Sequence, residues 1–417
     1  MHDGGSEGPC RSRLETPPAG FLALTALAGL NNGLSRVTAS LHAVALGASA
    51  AQLGLLAATP GLGLMLVSVP GGAFVRRHGL RRTFVTGSVL SGLAFTLVPA
   101  LRTPAFLIAC TAIGGMGMSL RYLVTNLVVM GVVERSGSDR AGWFRGSNQL
   151  TMMLIAPAVA VPLVAAAGFS LAWWLIAGTC LLAAIAAACV FGDGAPRAPA
   201  RDAWAVLSLG RDRRLLGLAS VEALTQATLG YFSYFIIPIA VKVHGMPATA
   251  AGALLSTQAA GFILALFALG GVARWLERGR FAALAYGAVA LALGLLGASR
   301  SAGGLWAGSV LLGLALGLVH LDNLIRSARL GADAGREAVA GSLALSGALG
   351  GLAGGVCGGL AAGSIGLAGF FLVLASLFAG MGWRRLRDAR GGGAEARPRD
   401  PELPHPRPER VRVHVEQ

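Results

Sequence analysis

The sequence has few charged residues and few aromatic ones. Only 13% of its 417 residues are Asp, Glu, Lys or Arg, and 6% are Phe, Trp or Tyr. Because an average soluble domain carries about 25% charged residues, this chain lacks the polar surface that a water-soluble fold of its size needs. With 54% hydrophobic residues and a mean hydropathy of +0.66, the composition indicates an integral membrane protein.

Lysine and acidic residues are scarce, whereas arginine is common. The chain has 34 Lys+Arg residues against 19 Asp+Glu, and Lys242 is its one lysine. Such an excess can indicate nucleic-acid binding, but here the basic residues form short clusters between long apolar runs, where they would contact lipid headgroups. We therefore expect a lipid bilayer and no nucleic acid as partner. The Ala-, Gly- and Arg-rich composition suggests a bacterial source.

Signatures of metal sites, cofactors and soluble enzymes are missing. The five cysteines form no CxxC pair, and no two histidines have metal-ligand spacing within an apolar run. A Walker-type phosphate-binding loop is also lacking, which argues against ATP-driven transport by this chain alone. We therefore expect no metal, no cofactor and no enzymatic activity.

Twelve apolar runs are long enough to cross a bilayer, which takes about 20 helical residues. Because backbone groups in lipid must be hydrogen-bonded internally, these runs are predicted to be helices; the ten-residue alternation of a membrane β-barrel is lacking. The fold class is therefore all-α and membrane-integral. We number the runs as spans 1 to 12, in order 20–46, 50–74, 81–101, 104–131, 143–167, 169–191, 215–243, 247–273, 280–299, 303–327, 336–362 and 364–383.

The basic residues are distributed unequally between the two sides that this topology defines. With both termini on one side, 29 of the 34 Lys+Arg residues and 17 of the 19 acidic residues lie there. Because cytoplasmic segments are enriched in Lys and Arg, we expect both termini in the cytoplasm. The expected location is the bacterial inner membrane, and the expected state is a monomer.

The loops divide the chain into two halves. We expect a cytoplasmic tail (1–19), an N-terminal six-helix bundle (20–191), a linker (192–214), a C-terminal six-helix bundle (215–385) and a disordered Pro-, Gly- and Arg-rich tail (386–417). The turn after span 2 has a counterpart after span 8, and both turns are basic. Their central glycines, Gly79 and Gly279, are 200 residues apart, which favours a duplicated six-helix unit in two pseudo-symmetric bundles.

With this topology and this turn, residues 20–385 resemble the major facilitator superfamily. The turn after the family's second span reads G-x-x-x-D-R-x-G-R-R. The matching residues here are Gly72, Arg77, Gly79, Arg81 and Arg82. Arg76 stands where the family has an aspartate that helps to lock neighbouring helices in the outward-open state. The resemblance implies a secondary transporter with alternating access, in which this turn controls the cytoplasmic gate.

Polar residues recur on one helix face in spans 1, 4, 7 and 10. Polar groups at membrane depth are costly and are often functional. By the resemblance, these four spans line a central cavity. The candidate substrate-binding residues on them are Asn32, Arg36, Arg121, Asn126, Gln226, Tyr231, Tyr234 and Asn323.

Four charged residues at membrane depth are not explained by the topology. Arg36 and Arg121 carry planar guanidinium groups that suit carboxylate or phosphate, so we expect them to hold an anionic or zwitterionic small solute. Glu222 and Asp322 are candidates to carry a coupling proton, because burial disfavours the charged form of a carboxyl. The predicted function is secondary active transport, by symport or antiport, with a proton as the coupling ion.

Structural roles compete with these functional ones. Asp322 and Arg326 are four residues apart and could simply pair with each other. Either Arg36 or Arg121 could form a static tie with Glu222.

Other polar residues also have structural alternatives. Tyr231 and Tyr234 could belong to an aromatic belt, and Asn31 and Asn32 could bond neighbouring helices. The alternative function is a transporter-fold protein that acts as an assembly factor or sensor without net transport.

Overall fold

The computed structural model describes residues 18–136, 147–191, 212–268, 278–334 and 336–391. These residues form helices joined by short turns, and no strand occurs among them. The all-helical membrane class predicted from the sequence is therefore confirmed. Most of both predicted tails and of the predicted linker lies outside the described residues.

The helices begin and end close to the predicted bounds of the spans. Their ranges are Pro18–Ala45, Ala50–Leu97, Pro104–Ser136, Ala156–Val190, Arg213–Pro238, Ala248–Ala268, Arg278–Ala298, Ala302–Ala334 and Arg336–Gly391. A π-helical segment, Thr151–Ile155, precedes the fourth helix, and another, Ile239–Val243, continues the fifth.

Three of these helices each contain two predicted spans, divided by a glycine with positive φ. The angle φ is 80° at Gly79, 72° at Gly168 and 76° at Gly366, and ψ at these residues lies between 164° and 172°. This backbone region is essentially restricted to glycine. The chain thus passes from one span to the next at a single residue. The predicted bounds had also left one residue between spans 5 and 6 and between spans 11 and 12, but six, 75–80, between spans 2 and 3.

Nine segments among the described residues are long and apolar enough to cross a membrane. Two of them, of 44 and 47 residues, are the segments that Gly168 and Gly366 divide. The 28-residue helix of span 1 is not among the nine, because polar residues such as Asn31 and Arg36 lower its hydropathy. With these two divisions and span 1, the helices correspond to the predicted spans; the number of twelve crossings stays a prediction.

Among the described residues, the apolar cluster that the two bundles share lies toward one end of the helices. We call this end the loop face, because it carries the turns at 46–49 and 244–247, and the opposite end the terminal face. The largest apolar cluster joins both bundles and includes Leu53 and Leu254. Two smaller clusters lie at the terminal face, one formed by N-bundle residues around Phe84 and the other by C-bundle residues around Leu215. The described apolar contacts thus close the loop face.

Glycines of spans 2 and 11 bring the two bundles into backbone contact. A Cβ atom at Gly359 would lie 2.6 Å from the Cα of Gly54, and one at Gly355 would lie 2.7 Å from the backbone nitrogen of Ala58. Small residues allow membrane helices to approach this closely. The glycine-rich sequence of span 11 is therefore explained by its packing.

Large apolar side chains cover the outer surface of the bundles. Leu360, Ile185 and Leu93 are 67%, 63% and 62% exposed. In water such a surface would be unfavourable, since each exposed apolar side chain forgoes about 1.5–3 kcal/mol of burial energy. In a bilayer the same side chains contact lipid, which agrees with a multi-pass membrane protein.

Candidate functional site

The predicted gate residues lie at the junction of spans 2 and 3 on the terminal face. Gly79 forms the break itself, and the hydroxyl of Thr83 donates a hydrogen bond of 2.7 Å to its carbonyl. The side chains of Arg77 and Arg82 are exposed, as is that of Arg76. The remaining gate residues lie on either side of this break, Gly72 in span 2 and Arg81 in span 3.

Arg36 of span 1 faces the other bundle. Its guanidinium lies beside the hydroxyl of Tyr234 in span 7, and the hydroxyl of Ser40, one turn further along span 1, donates to the carbonyl of Tyr234 at 2.8 Å. The Arg36 side chain is half-buried, and its Nε has no hydrogen-bond partner among the described residues. An arginine with an unused donor between two bundles suits an anionic group.

Two further candidates on the N-bundle remain open to a solute. Asn32 of span 1 and Asn126 of span 4 are both half-buried. Neither side-chain amide makes a hydrogen bond within the described part of the chain. These amides therefore stay candidates for contact with a polar solute.

Arg121 lies inside the N-bundle instead of between the bundles. It is only 2% exposed, and its Nη2 donates to Oδ1 of Asn31 at 2.7 Å. Asn31 in turn donates to the carbonyl of Ile176 at 3.0 Å and to the hydroxyl of Thr179 at 2.7 Å. Arg121 therefore helps to hold spans 1, 4 and 6 together, and this placement leaves it out of the solute site that we propose.

Glu222 of span 7 accepts two hydrogen bonds from amide groups. Nε2 of Gln226 donates to its Oε1 at 2.9 Å, and Nδ2 of Asn323 in span 10 donates to its Oε2 at 2.7 Å. Glu222 is half-buried, and no Lys, Arg or His of the described residues lies within ion-pair distance of it. The alternative of a static tie between Glu222 and Arg36 or Arg121 is therefore not seen among the described residues.

Asp322 points away from Glu222, although it precedes Asn323 in the chain. Its carboxylate accepts from Nε and Nη2 of Arg326 at 3.0 and 2.9 Å. The hydroxyl of Tyr286 in span 9 lies 3.5 Å from it as a further donor. The pairing within span 10 is thus the structural alternative that the sequence had offered. Tyr286 was not predicted, since a single tyrosine in an apolar span gives no pattern to detect.

Tyr231 belongs to the aromatic core of the C-bundle. It is fully buried, its ring stacks on Phe235 with the centroids 4.2 Å apart, and its edge meets Phe371. Its hydroxyl donates to the carbonyl of Leu367. Because it is buried in this way, we leave it out of the site that we propose.

The seam between the bundles also contains an apolar cavity at the loop face. The cavity has a volume of about 240 Å³ and is lined by residues such as Val161, Phe169 and Ile237. Its walls offer almost no polar group. It is therefore unsuited to a polar solute. No group of three metal-ligating side chains was found among the described residues.

The polar residues of span 7 extend from the loop face toward the terminal face. Glu222 and Tyr234 are 12 residues apart, which corresponds to about 18 Å along a helix. The arginine beside Tyr234 therefore lies near the closed loop face, and the carboxylate of Glu222 lies nearer the terminal face. The guanidinium of Arg36 and the carboxylate of Glu222 thus lie between the bundles at two different depths along the helix axes.

The comparisons with known proteins agree with this architecture. The Major Facilitator Superfamily profile matches residues 21–334, and no curated protein matches the chain significantly. A mutant of the nucleoside transporter NupG superposes with a TM-score of 0.73 at 12% identity, covering 89% of this chain and 99% of that one. A bacterial homologue of the human lysosomal transporter Spinster, inward-facing and unoccupied, superposes with a TM-score of 0.68 at 16% identity, covering 92% and 99%.

At these identities the superpositions demonstrate the fold alone. The family profile covers about three quarters of the sequence, and its range includes spans 1 to 10, the turn at Gly79 and the residues around Glu222. The chain belongs to the major facilitator superfamily of membrane transporters.

Proposed function

We propose that the chain is a secondary active transporter that moves a small polar solute by alternating access between its two bundles. The observation that carries this proposal is the one-sided contact between the bundles. A shared apolar cluster and the Ser40–Tyr234 hydrogen bond join them at the loop face, whereas the described apolar clusters at the terminal face each belong to one bundle. With both termini in the cytoplasm, this arrangement corresponds to an inward-facing state.

The solute site that we propose lies between spans 1, 4, 7 and 10. Its members lie on the sides of the two bundles that face each other. Each of them either has a half-buried side chain or contacts a residue that has one. They are Asn32, Arg36, Asn126, Glu222, Gln226, Tyr234 and Asn323. Arg36 would hold an anionic group of the solute, because its Nε has no hydrogen-bond partner among the described residues. This role corresponds to the expected anionic or zwitterionic substrate class.

Glu222 is the proton-coupling residue of the proposal, and Asp322 is not. Protonation of Asp322 would break its ion pair with Arg326. Glu222 is bound only by two neutral amides. Protonation of Glu222 breaks no ion pair, so this carboxyl is the better suited of the two to gain and lose a proton during each cycle.

The turn at Gly79 would act as the cytoplasmic gate. Gly72, Arg77, Gly79, Arg81 and Arg82 keep the family pattern, but Arg76 is exposed at the position of the aspartate. An acidic latch to a neighbouring helix cannot form with arginine at this position. We therefore expect the loop-face contacts between the bundles, rather than this turn, to set the resting conformation.

Proteoliposomes containing a trapped pH-sensitive dye test the proposal. A panel of unlabelled amino acids, nucleosides, organic acids and amines is added outside, and the internal pH is recorded. We expect at least one solute to move protons through the wild-type protein and through Asp322→Asn, but not through Glu222→Gln. Proton movement that persists in Glu222→Gln contradicts the coupling role. No response to any solute, with no solute uptake, favours the assembly factor or sensor instead.

A further inference from the structure

One hydrogen-bond acceptor next to Glu222, the amide oxygen of Asn323, lacks a donor among the described residues. Asn323 donates its amide N–H to Glu222 at 2.7 Å, yet its own Oδ1 is buried and has no donor among the described residues. Asn323 is 5% exposed, so water access to this oxygen is restricted. An unsatisfied buried acceptor beside a carboxylate without a counter-ion is costly. The site therefore lacks a positively charged group that donates hydrogen bonds.

We infer that Glu222 and Asn323 together bind an ammonium group of the transported solute. A primary ammonium group has three N–H donors and no acceptor. It can therefore bond a carboxylate oxygen of Glu222 and Oδ1 of Asn323 at once. A proton on Glu222 neutralises the carboxylate, but its O–H reaches Oδ1 of Asn323 only if that amide turns and gives up the N–H bond to Oε2.

A metal ion fits the same residues less well. The four side-chain oxygens of Glu222, Gln226 and Asn323 include two amide oxygens, and both amides present their N–H groups to the carboxylate. A metal cation would need these amides to turn their oxygens inward, which breaks both hydrogen bonds. An ammonium group instead donates hydrogen bonds, so it can bind a carboxylate oxygen of Glu222 while both amide N–H groups keep their bonds.

The backbone of span 11 limits the size of the group that can reach the carboxylate. A Cβ atom built on Gly347 would lie 3.2 Å from Cγ of Gln226 and 3.6 Å from Oε1 of Glu222. Glycine at this position keeps a side chain away from Oε1 of Glu222, the oxygen to which Gln226 donates. A methyl group there would crowd Gln226 and narrow the approach.

This inference rests on the proposed function and specifies its substrate class as a small amine. Arg36 lies beside Tyr234, about 18 Å further along the helices, so a small solute whose amine is bound at Glu222 does not contact Arg36 at the same time. Because one carboxylate cannot bind a proton and an ammonium group together, the assignment also implies that solute and proton are exchanged, as in antiport.

Melting temperatures of the detergent-purified full chain test the assignment without requiring transport. The probes are amines and alcohols of the same carbon skeleton: benzylamine with benzyl alcohol, and 1,4-diaminobutane with 1,4-butanediol. Sodium chloride is compared with choline chloride at equal ionic strength. We expect the amines, and not the alcohols, to raise the wild-type melting temperature in a concentration-dependent way.

Three variants test whether the amine-induced rise in melting temperature comes from binding at Glu222. Glu222→Gln is expected to weaken the apparent affinity for the amines by about 10- to 100-fold, because it removes charge-assisted hydrogen bonds. Gly347→Ala keeps every charge and should also weaken it. Asp322→Asn is the control, since it removes a neighbouring carboxylate that Arg326 already holds; its amine-induced shift should match that of the wild type.

The assignment is overturned if amines and alcohols shift the melting temperature equally, if neither shifts it, or if Glu222→Gln keeps the full response to amines. A shift with Na⁺ and none with amines would assign the site to a metal ion and also overturn it. Failure of the proposed function looks different: amines would bind in this assay, but no solute would move protons or enter proteoliposomes.

Discussion

The hydroxyl of Ser40 in span 1 donates a hydrogen bond of 2.8 Å to the backbone carbonyl of Tyr234 in span 7. This bond is buried, and it joins the two bundles next to Arg36, the arginine proposed to hold the solute. Any motion that opens the loop face must break it. Its strength therefore contributes to the preference for the closed loop face.

We expect Ser40→Ala to shift the population toward states that are open at the loop face. A single buried hydrogen bond contributes about 1 kcal/mol, which corresponds to about a fivefold change in a conformational equilibrium. Spin labels at Ala51 and Ser364, both exposed near the loop face, would report a larger share of long distances. The control is Ser376→Ala, whose hydroxyl bonds only to its own helix. Equal distance distributions in both variants would contradict the prediction.

The contact between spans 2 and 11 gives a second, steric prediction. In Gly359→Ala, the added methyl would lie 2.6 Å from the Cα of Gly54, so the two backbones must separate. Because neither backbone can move aside locally, the loop face should fail to close. We expect solute-driven proton movement in proteoliposomes to fall at least tenfold.

Gly363→Ala is the matched control in the same span. It lies one helical turn beyond Gly359, and no atom lies within 4 Å of a Cβ built there. We expect transport close to that of the wild type. If Gly359→Ala also transports normally, the packing of these two helices does not limit closure.

The sequence predicted the architecture well because its signals are long and independent. Each span depends on about 20 apolar residues, and the charge bias adds a check over the whole chain. The pairing of Asp322 with Arg326 was also foreseeable, since both residues belong to one helix and their spacing fixes their proximity.

Contacts between helices could not be predicted in the same way. Neighbouring residues on a helix point about 100° apart, so a small error in helix rotation exchanges their surroundings. Asn31 turned out to be buried against Arg121, whereas Asn32 is half-buried. Asp322 and Asn323 face different helices for the same reason. The polar stripe of a span was visible, but the member that faces the solute was not.

Asn31 and Asn32 allow a direct test of this distinction. Asn31→Ala removes the acceptor of Arg121 and three further hydrogen bonds, those with Ile176, Thr179 and Cys180. It also leaves a buried guanidinium without that partner. We expect a loss of about 2–4 kcal/mol in the free energy of unfolding, measured by chemical denaturation in mixed micelles.

Asn32→Ala should leave that free energy almost unchanged, since its amide bonds no other described residue. Its effect should instead appear in transport, as a weaker apparent affinity for the solute. A large loss of stability in Asn32→Ala, or none in Asn31→Ala, would mean that the two residues have been assigned to the wrong roles.

The glycine between spans 5 and 6 allows the free-energy cost of an unfavourable backbone conformation to be measured separately from steric clashes. Gly168 has a φ of 72° and a ψ of 172°, and no atom lies within 4 Å of a Cβ built on it. Gly168→Ala therefore causes no clash with a neighbouring element, and its effect comes from the strained backbone alone. We expect it to lower the melting temperature and to cost about 1–3 kcal/mol.

Gly178→Ala provides the comparison, because Gly178 lies in the same helix, lacks a positive φ and is equally open. Alanine favours a helix over glycine by about 0.5–1 kcal/mol, so this variant should melt at the same temperature or higher. If Gly168→Ala melts at a lower temperature than Gly178→Ala, the positive φ of Gly168 is confirmed as the cause of the loss. If both substitutions stabilise the protein, Gly168 adopts an ordinary helical conformation and spans 5 and 6 are joined differently.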